Sequence, residues 1–463
     1  MPDRHVLILA AGKGTRMKSS RPKVLHPLAG LTLIEHVIRA SFPLKATTTT
    51  VVLGHQAQRV SEALTHNTSM SCDVVYQDQQ LGTAHALLQA EPVLGNKSGT
   101  LIVLSGDAPL ISSSTLLALI ETHEQSSAAA CVLSSILERP YGYGRIVRDK
   151  QGQLIGVVEE TDASTTQRNI CEVNSGIYTF DLTPLFKTLK KIPEAGPKNE
   201  RYLPTILQMY GQKNLTVNIT TTDDSHEIRG INSQSELAEL RTIVRQRRNE
   251  ELMASGVTIE DPATTYIDAD VIVEADTVIH PGVFLEGRTR VGARCEIYSG
   301  SRIVNSTLGD DVTINNHSVI TDSTIEAKAR IGPFAHIRPG STIGERARVG
   351  NFVELKKTTL GTGAKANHLS YIGDAVVGSD SNIGAGTITC NYDGVNKHQT
   401  TIEPEVFVGS GTELVAPVTI GHGAYIGAGS CITENVPANA LALARGRQVI
   451  KEARATKIKK QSE

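Results

Sequence analysis

IGPFAHIRPGSTIGERARVGNFVEL, residues 331–355, is the stretch that decides the fold of the second half of this chain. An aliphatic residue stands at every sixth position of it, from Ile331 to Leu355. An α-helix repeats in about 3.6 residues and a strand in about two, so neither has a period of six. The period indicates a coil with three short flat faces, in which the aliphatic side chains point inwards and a turn follows each face.

The same pattern extends in both directions, from Ile267 to Ile432, with three steps of five residues and one break at residues 390–397. Three hexads form one coil of about 18 residues. Glycine often follows the aliphatic residue, as in Ile343-Gly344, and we expect Gly or another small residue to accept the unusual backbone of the corners. The region therefore predicts a parallel β-helix. Its inward-facing positions are Ile267, Val273, Ile279, Leu285, Val291, Ile297, Ile303, Leu308, Ile314, Ile320, Ile325, Ile331, Ile337, Ile343, Val349, Leu355, Leu360, Ala366, Ile372, Ile402, Val408, Leu414, Ile420, Ile426 and Ile432.

The first half opens with the apolar run HVLIL at residues 5–9, which leads into the glycine-rich basic loop AAGKGTR at residues 10–16. A buried strand followed by such a loop is the α/β device that holds phosphates with backbone N–H groups. The loop is neither a Walker A motif nor GxGxxG, and a lone GxG can also be a tight turn. PKVL at residues 22–25 adds a lysine soon after the loop.

Strand-like and helix-like stretches alternate after this loop, which predicts a doubly wound α/β sheet. The strand-like runs are residues 49–53, 73–76, 100–104 and 128–133, and the helix-like stretches include residues 32–40 and 83–90. The run 100–104 ends at SGD, residues 105–107. Because ligands bind beyond the carboxyl ends of parallel strands, Asp107 is placed where a metal would be needed.

The composition narrows the class of protein. The 463-residue chain has a formal net charge of −2, which gives no indication of nucleic-acid binding. Its six cysteines are far apart and include no CxxC pair, so we expect reduced thiols. The apolar run at residues 6–11 is too short for a signal peptide, and no stretch approaches about 18 apolar residues. We therefore expect a cytoplasmic protein.

A helical arm is predicted between the two halves. Ser233 and Glu236 form a capping box, and Gly256 suits the helix exit. The tail from Lys451 is basic, and we expect it to be solvated. The expected segments are a nucleotidyltransferase domain at residues 1–230, a helical linker at 231–256 and a β-helix domain with its tail at 257–463.

Several motifs of the first half together resemble the sugar-1-phosphate nucleotidyltransferases, in particular the branch that makes UDP-N-acetylglucosamine. They are LAAGKGTRM at residues 9–17, PKVLH at 22–26, QLGTAHA at 80–86, YGRI at 143–146, VE at 158–159, NSGIY at 174–178 and GIN at 230–232. The second half is similar to the hexapeptide-repeat transferases, whose β-helix is left-handed and which form trimers. With NHLSY at 367–371, the chain is identified as a member of the bifunctional N-acetylglucosamine-1-phosphate uridyltransferase / glucosamine-1-phosphate N-acetyltransferase family.

This resemblance implies an α/β doubly wound nucleotidyltransferase domain followed by a left-handed parallel β-helix. It implies acetylation of glucosamine-1-phosphate from acetyl-CoA, then uridylyl transfer from UTP to N-acetylglucosamine-1-phosphate with release of pyrophosphate. The product would feed peptidoglycan and lipopolysaccharide synthesis. Mg²⁺ is the implied cofactor, the partners are small-molecule substrates without nucleic acid or membrane, and the assembly is a homotrimer. The break at residues 390–397 is either a harmless insertion or a binding loop, and the resemblance favours a loop that reaches a neighbouring subunit.

For uridylyl transfer the resemblance assigns Asp107 and Asn232 to Mg²⁺, which prefers oxygen ligands. Arg16 and Lys23 would hold phosphates, and Gln77 would read the uracil together with Gly82 and Thr83. The complete set expected to bind UTP and UDP-N-acetylglucosamine is Leu9, Ala10, Gly12, Arg16, Lys23, Gln77, Gly82, Thr83, Gly144, Glu159, Asn174 and Asn232, with Gly144, Glu159 and Asn174 on the sugar and its N-acetyl group.

Acetyl transfer needs an uncharged amine, a proton acceptor and donors for the developing oxyanion. A lone histidine on a solenoid is more often a surface residue, but His368 lies within the NHLSY motif. Imidazole is the side chain that ordinarily gains and loses a proton near neutral pH, which makes His368 the candidate base. The resemblance assigns Arg338, Lys356, Tyr371 and Asn382 to glucosamine-1-phosphate. It assigns Ala385, Asn391, Tyr392, Ser410, Ala428 and Arg445 to acetyl-CoA.

Two alternatives remain open from the residues alone. One is a monofunctional sugar nucleotidyltransferase with a structural β-helix, and the other is a non-catalytic assembly subunit with the same two folds. Two departures from the family pattern are visible: Ser105 stands where the family often has Tyr, and residues 199–205 differ from its usual sequence. The second departure leaves details of sugar contact open.

Overall fold

The computed structural model describes residues 3–66, 72–195 and 199–459. The chain divides into two compact units, residues 1–244 and 245–463. Within the described residues, no helix combines the length and the apolar character needed to cross a membrane.

The first unit is an α/β unit. Its strands are β1 (Arg4–Ala10), β2 (Pro27–Leu28), β3 (Leu31–Thr32), β4 (Thr48–Leu53), β5 (Asp73–Tyr76), β6 (Thr100–Ser105), β7 (Ala130–Ile136), β8 (Arg145–Arg148), β9 (Leu154–Val158), β10 (Glu172–Asp181) and β11 (Val217–Thr222). Its helices are α1 (Leu33–Ser41), α2 (Ala57–His66), α3 (Thr83–Leu88), α4 (Glu91–Leu94), α5 (Ser113–Ser126), α6 (Thr165–Arg168), α7 (Leu182–Leu189) and α8 (Thr205–Gln212); α9 (Gln234–Ala254) begins in this unit. Short 3₁₀ turns cover Thr15–Met17, Lys23–Leu25 and Phe42–Leu44.

The large sheet of this unit has the order β11-β7-β10-β6-β1-β4-β5. Strand β1 pairs in parallel with β4 and β6, and both of its faces are covered, since Val6, Leu7 and Ile8 are fully buried. Strand β10 runs antiparallel between β6 and β7, and β8 and β9 extend from it as a side ribbon. The predicted doubly wound α/β fold is confirmed, although the alternation pattern contained no signal for the antiparallel β10.

Helix α9 connects the two units along the chain. The boundary between the units, between Val244 and Arg245, falls inside this helix. Ser233 Oγ accepts from the Glu236 N–H at 3.2 Å, as a capping residue should. The Glu236 carboxylate, however, accepts from the Asn232 N–H at 2.6 Å, one residue before the position of an ordinary capping box. At the other end, Gly256 adopts a φ of +96°, so the predicted glycine exit is correct.

The second unit is a solenoid of three parallel stacks. The first stack contains Thr258–Ile259, Val278–Ile279, Glu296–Ile297, Thr313–Ile314, Arg330–Ile331, Arg348–Asn351, Lys365–His368, Asn382–Ile383, Phe407–Val408, Tyr425–Ile426 and Leu441–Ala442. The second contains Tyr266–Ile267, Phe284–Glu286, Arg302–Val304, Val319–Thr321, His336–Ile337, Glu354–Lys356, Tyr371–Gly373, Ile388–Cys390, Glu413–Val415 and Cys431–Ile432. The third contains Ile272–Val273, Arg290–Val291, Thr307–Leu308, Thr324–Ile325, Thr342–Ile343, Thr359–Leu360, Ala375–Val377, Thr400–Ile402 and Val418–Ile420. A last helix, α10, covers Arg454–Lys459 in the basic tail; the final four residues, 460–463, lie outside the described part.

This arrangement confirms the parallel β-helix expected from the repeat, and the three stacked parallel sheets are consistent with the left-handed coil that the resemblance implied. Every inward-facing aliphatic position of the hexad pattern is buried, and together they form one continuous core. Where the pattern steps by five, the coil shortens by one residue while the pairing is kept, so that Ile297 pairs with Ile314 and Ile303 with Ile320. The third stack continues across residues 390–397, because Ala375 pairs with Thr400 on the far side of the break.

The expected role of glycine at the corners is confirmed for some glycines, such as Gly282, Gly300 and Gly340, which have a positive φ. It is wrong for most glycines that directly follow the inward aliphatic residue. Positive φ at the corners is often carried by other residues, such as Asp276 and Arg294, and Gly344 has no positive φ. A Cβ on Gly344 would instead lie 2.6 Å from the backbone N of Thr362 in the next coil. Glycine after the aliphatic residue is therefore required because adjacent coils approach closely, and only a case such as Gly332, with φ +88°, requires the backbone freedom.

Candidate active sites

A cavity of about 880 Å³ opens in the first unit. Every residue predicted for the uridyltransferase site lines it: Leu9, Ala10, Gly12, Arg16, Lys23, Gln77, Gly82, Thr83, Asp107, Gly144, Glu159, Asn174 and Asn232. The cavity lies where β1 and β6 end, because Ala10 is the last residue of β1 and Asp107 follows β6. This is the edge of the sheet at which α/β folds bind ligands.

The glycine-rich loop forms one wall of this cavity. Gly14 adopts a φ of +58°, and a Cβ there would lie 2.7 Å from Cβ of Lys23. The glycine therefore leaves room for the Lys23 side chain to lie against the loop. Lys13 and Arg16 extend as exposed side chains, whereas the Lys23 side chain is largely buried.

Asp107, Asn232 and Lys23 meet in the lining of the cavity. The Lys23 ammonium contacts Asp107 Oδ2 and donates to Asn232 Oδ1 at 2.8 Å. Ser105 Oγ donates to the other oxygen, Asp107 Oδ1, at 2.8 Å. The two oxygens assigned to Mg²⁺ therefore already bind a cation, and this observation fits an oxygen-ligated divalent ion.

Backbone contacts hold Asn232 beside Asp107. The Ile231 N–H donates to the Asp107 carbonyl at 3.0 Å, and the Asn232 N–H donates to Glu236 in the first turn of α9. Asn232 Nδ2 donates to the Gly230 carbonyl at 3.4 Å, which turns Oδ1 towards Lys23. The displaced capping contact of Glu236 thus positions a candidate metal ligand.

The residues expected to read uracil surround Gly82, a second glycine whose backbone is closely approached by a neighbouring segment. Gly82 has a φ of +94°, and a Cβ on it would lie 2.6 Å from the Arg201 carbonyl oxygen. Gln77 Nε2 donates to the Gly82 carbonyl at 3.2 Å, so the buried amide of Gln77 is held in one orientation. Thr83 begins α3, and its hydroxyl accepts from the Leu203 N–H at 3.0 Å.

The residues expected to contact the sugar lie around β8–β10. The Asn174 N–H donates to the Gly144 carbonyl at 2.8 Å, and Asn174 Nδ2 donates to the Tyr178 hydroxyl at 2.7 Å. Burial raises the pKa of Glu159, and the nearby Asp162 adds to this effect. A carboxylate that is partly withdrawn from solvent favours a ligand that donates hydrogen bonds to it, such as a sugar hydroxyl.

Sequence reasoning missed other residues that line the cavity. Among them are Lys13, Tyr143, Glu200 and Tyr202. Glu200 and Tyr202 belong to residues 199–205, where the chain departs from the family pattern. That departure was the available signal, because it marked a segment whose contacts with the sugar the family pattern left open.

On the β-helix, a charged column forms along the second stack. Arg338 Nη1 donates to Glu354 at 2.7 Å, and Lys356 Nζ lies 3.3 Å from Asp374 Oδ2. Asn391 Nδ2 donates to the same carboxylate at 2.5 Å. Asp374 was not predicted, although it follows Lys356 by one coil length.

A second lysine, also missed, lies close to this column. The side chain of Lys397, from the loop at residues 390–397, contacts Lys356, and this contact lowers the pKa of Lys397. Two ammonium groups that approach each other favour an anion between them. Arg338 and Lys356 were assigned to a sugar phosphate, and Lys397 adds a positive charge near Lys356.

His368 lies at the end of its strand in the first stack, directly opposite Asn351 of the preceding coil. The His368 Nδ1–H donates to Asn351 Oδ1 at 2.6 Å. Because an amide oxygen can only accept, this contact places the proton of the neutral ring on Nδ1 and leaves Nε2 free to accept another. Asn351 was missed as well, and its spacing of one coil from His368 is the signal that could have identified it.

The residues assigned to acetyl-CoA divide into two groups. One group forms a column with His368, with one residue in each successive coil: Ala385, Ser410 and Ala428. The backbone carbonyls of His368, Ala385 and Ser410 each accept a hydrogen bond from a backbone N–H of the next coil. The Arg445 guanidinium donates to the Ala428 carbonyl at 2.7 Å and ends the column. Asn391 and Tyr392 lie instead in the loop, where the Tyr392 hydroxyl donates to the Gly394 carbonyl.

Tyr371 and Asn382 complete the set assigned to the sugar phosphate. Tyr371 pairs with Glu354 of the preceding coil, and both belong to the second stack. Asn382 pairs with Lys365 in the first stack, on the coil that follows His368. Both side chains are half-buried, so they belong to the surface of the solenoid rather than to its core.

Comparison with known proteins covers both units. Residues 6–170 match the MobA-like NTP transferase domain family, and residues 267–338 and 323–412 match the GMPPB C-terminal domain family. The chain is 47% identical over 452 residues to "Bifunctional protein GlmU" of Shouchella clausii (strain KSM-K16), covering 98% of each chain. It is 44% identical to the protein of that name from Pelobacter propionicus (strain DSM 2379 / NBRC 103807 / OttBd1), covering 100% of each. The Staphylococcus haemolyticus (strain JCSC1435) protein is 47% identical, covering 97% of this chain and 98% of its own.

Proposed function

Because this chain belongs to the bifunctional GlmU family, we propose that each of its two units carries one active site. The enzyme is an acetyltransferase for glucosamine-1-phosphate and a uridyltransferase for N-acetylglucosamine-1-phosphate. We assign uridylyl transfer to residues 1–230 and acetyl transfer to the β-helix at 257–463, with residues 231–256 as the arm between them. The observation that carries the first assignment is that all the expected residues of that site line one and the same cavity.

Uridylyl transfer needs alignment and charge neutralisation more than covalent help from the protein. Arg16 and Lys23 supply positive charge to the phosphates at the glycine-rich loop. Gln77 and the close backbone of Gly82 hold the base, and Glu159 accepts from the sugar. Asp107 and Asn232 supply oxygen ligands for Mg²⁺, which when bound offsets the charge of the triphosphate as pyrophosphate leaves.

Acetyl transfer begins when the amine of glucosamine-1-phosphate attacks the thioester carbon of acetyl-CoA. His368 Nε2 accepts the proton that the amine loses, while Asn351 holds the ring in the tautomer that leaves Nε2 free. As the new C–N bond forms, the thioester C–S bond breaks, and coenzyme A leaves as a thiolate that takes up the proton from His368. Arg338 and Lys356 attract the sugar phosphate, and Tyr371 and Asn382 contact the sugar. The column from Ala385 to Arg445, together with Asn391 and Tyr392, holds the coenzyme.

We also propose that the chain works as a homotrimer in the cytoplasm, where UTP and acetyl-CoA are available. Tyr392 is 60% exposed and Val395 is 83% exposed at the loop of residues 390–397. Side chains exposed in this way on a loop beside the charged column favour a role in completing the site of a neighbouring copy.

The two rival interpretations are less favoured. A structural β-helix does not explain why relatives named bifunctional match almost the full length of the chain. A non-catalytic assembly subunit does not explain why the phosphate-binding loop, Asp107 and Asn232 remain together in one cavity.

Paired assays on one preparation test the assignment of the two sites. Asp107→Ala should abolish Mg²⁺-dependent release of pyrophosphate from UTP and N-acetylglucosamine-1-phosphate, because the metal loses a charged ligand. Transfer of acetyl from acetyl-CoA to glucosamine-1-phosphate should continue. Asp73→Ala, which removes an exposed carboxylate at the start of β5, is the matched control. Near-normal pyrophosphate release by Asp107→Ala would contradict the metal assignment.

A further inference from the structure

Lys23 occupies the position that the proposed metal would take. Its ammonium contacts Asp107 Oδ2 and Asn232 Oδ1, which are the two oxygens assigned to Mg²⁺. The side chains of Lys23 and Asp107 are only 13% and 20% exposed, so solvent screens this contact weakly. The Lys23 ammonium therefore contacts the same two oxygens that the proposed Mg²⁺ would need.

The two oxygen ligands do not depend on Lys23 for their positions. Ser105 holds the other oxygen of Asp107, and the Asn232 amide is oriented by the Gly230 carbonyl while its backbone is held by Glu236. The ligands are thus in place before any metal arrives. Only the identity of the cation between them changes.

A divalent cation and the Lys23 ammonium cannot share these oxygens without strong repulsion between like charges. The ammonium can leave, since it stands at the end of a flexible four-carbon chain. The nearest other place for the ammonium is the phosphate-binding loop, because Gly14 of that loop packs directly against the Lys23 side chain. The phosphates of a nucleoside triphosphate bound at this loop would give the ammonium a negatively charged partner in place of Asp107.

We propose that Lys23 couples metal binding to nucleotide binding. Without nucleotide, Lys23 closes the metal site by pairing with Asp107 and Asn232; when a nucleoside triphosphate binds the loop, Lys23 moves to its phosphates and frees both oxygens for the metal. Coupling of this kind is reciprocal, so metal also strengthens nucleotide binding. The inference rests on the proposed metal ligands and adds an order of loading to them.

Binding measurements on the full chain test the proposal without any turnover. Mn²⁺ is the metal probe, measured by electron paramagnetic resonance in the absence of nucleotide. Lys23→Met, which keeps the length but removes the charge, should bind Mn²⁺ about 5- to 150-fold more tightly than the unchanged protein, the usual range for coupled sites. Lys23→Arg keeps a positive charge and should bind Mn²⁺ as weakly as the unchanged protein. Lys187→Met, which removes the charge of an exposed lysine on α7 outside the cavity, is the matched control and should change little.

The second measurement is UTP binding in EDTA by calorimetry, which avoids metal–nucleotide chelation. Lys23→Met should bind metal-free UTP more weakly, since the phosphates lose a partner. Asp107→Asn should bind metal-free UTP more tightly, because Lys23 is released from its carboxylate. Circular dichroism on each variant verifies the fold.

The outcomes separate the coupling from the site assignment. If Asp107→Asn removes Mn²⁺ binding but Lys23→Met binds Mn²⁺ no more tightly than the unchanged protein, the metal ligands stand and the Lys23 proposal is overturned. If Asp107→Asn binds Mn²⁺ as well as the unchanged protein, the metal ligands themselves are wrong. A Lys23→Arg protein that binds Mn²⁺ as tightly as Lys23→Met would also overturn the proposal, since charge would not be the cause.

Discussion

His368 is the residue on which acetyl transfer should depend most. A neutral imidazole with a free Nε2 can accept the proton of the sugar amine, and removal of a general base typically lowers the rate by roughly 10²–10⁴. His368→Ala should therefore lower acetyl turnover by about that range, with little change in substrate binding and none in uridylyl transfer. His336→Ala, an exposed histidine on the second stack, is the matched control. Near-normal acetyl turnover in a stable protein would rule out the base role.

Asn351 is expected to act through His368 rather than on the substrate. Replacing its amide by the carboxylate of Asn351→Asp places a negative charge beside Nδ1–H, which favours the protonated ring over the neutral ring. Because only the neutral ring accepts a proton, the acid limb of the acetyl-transfer pH profile should move to higher pH. Asn351→Ala should lower kcat by up to about 10²-fold through misplacement of the ring, with KM little changed. An unmoved acid limb in Asn351→Asp would show that the contact has no role in the reaction.

The loop at residues 390–397 illustrates what an element can add to a repeating fold. Its flanking strands stay paired with their neighbours, so the stacks do not need the loop to continue. Its own side chains contact the charged column, through Asn391 to Asp374 and through Lys397 to Lys356. Elements of a solenoid are stabilised mainly by the adjacent coils, which leaves an insertion free to serve a site.

Removal of residues 392–397 should therefore impair acetyl transfer more than folding. We expect loss of most acetyl turnover, while thermal unfolding changes little. Light scattering on the same samples, with and without the loop, measures whether the intact protein is trimeric. An active monomer, or full acetyl activity after removal of the loop, would contradict the proposed role of this loop in a neighbouring site.

At the scale of the whole molecule, the two units have separate cores. The apolar residues of the β-helix form one continuous cluster, and those of the first unit form others around the α/β sheet. Helix α9 belongs to both, since Leu237 and Leu240 pack within the first unit while Asn249 donates to the Pro262 and Thr265 carbonyls of the second. A unit with its own core can be expected to fold alone.

A fragment that ends after the helical arm, at Gly256, should keep uridylyl transfer and lack acetyl transfer. Every phosphate and metal candidate of the first site is present in it, including Asn232 and its Glu236 contact. Pyrophosphate release should stay close to that of the full chain. A well-folded fragment without this activity would show that the second unit contributes to the first site.

Much of the candidate site was predictable because its motifs are local. The glycine-rich loop directly follows β1, and Asp107 directly follows β6, so their places at the sheet edge follow from a few consecutive residues. The antiparallel β10 could not be predicted in the same way. Its position between β6 and β7 depends on which strands pair over long separations, and no local period encodes that choice.

The sequence by itself determined the β-helix. The six-residue period specifies, in every hexad, which side chain must be buried. It also determined the phosphate-binding loop and the residue types of both sites. Only the tertiary structure decided which groups meet: Lys23 reaches Asn232 across 209 positions of sequence, and His368 meets Asn351 because one coil of the solenoid separates them. The physical reason is that burial patterns are properties of neighbouring residues, whereas a contact between two polar side chains depends on how distant strands and coils stack.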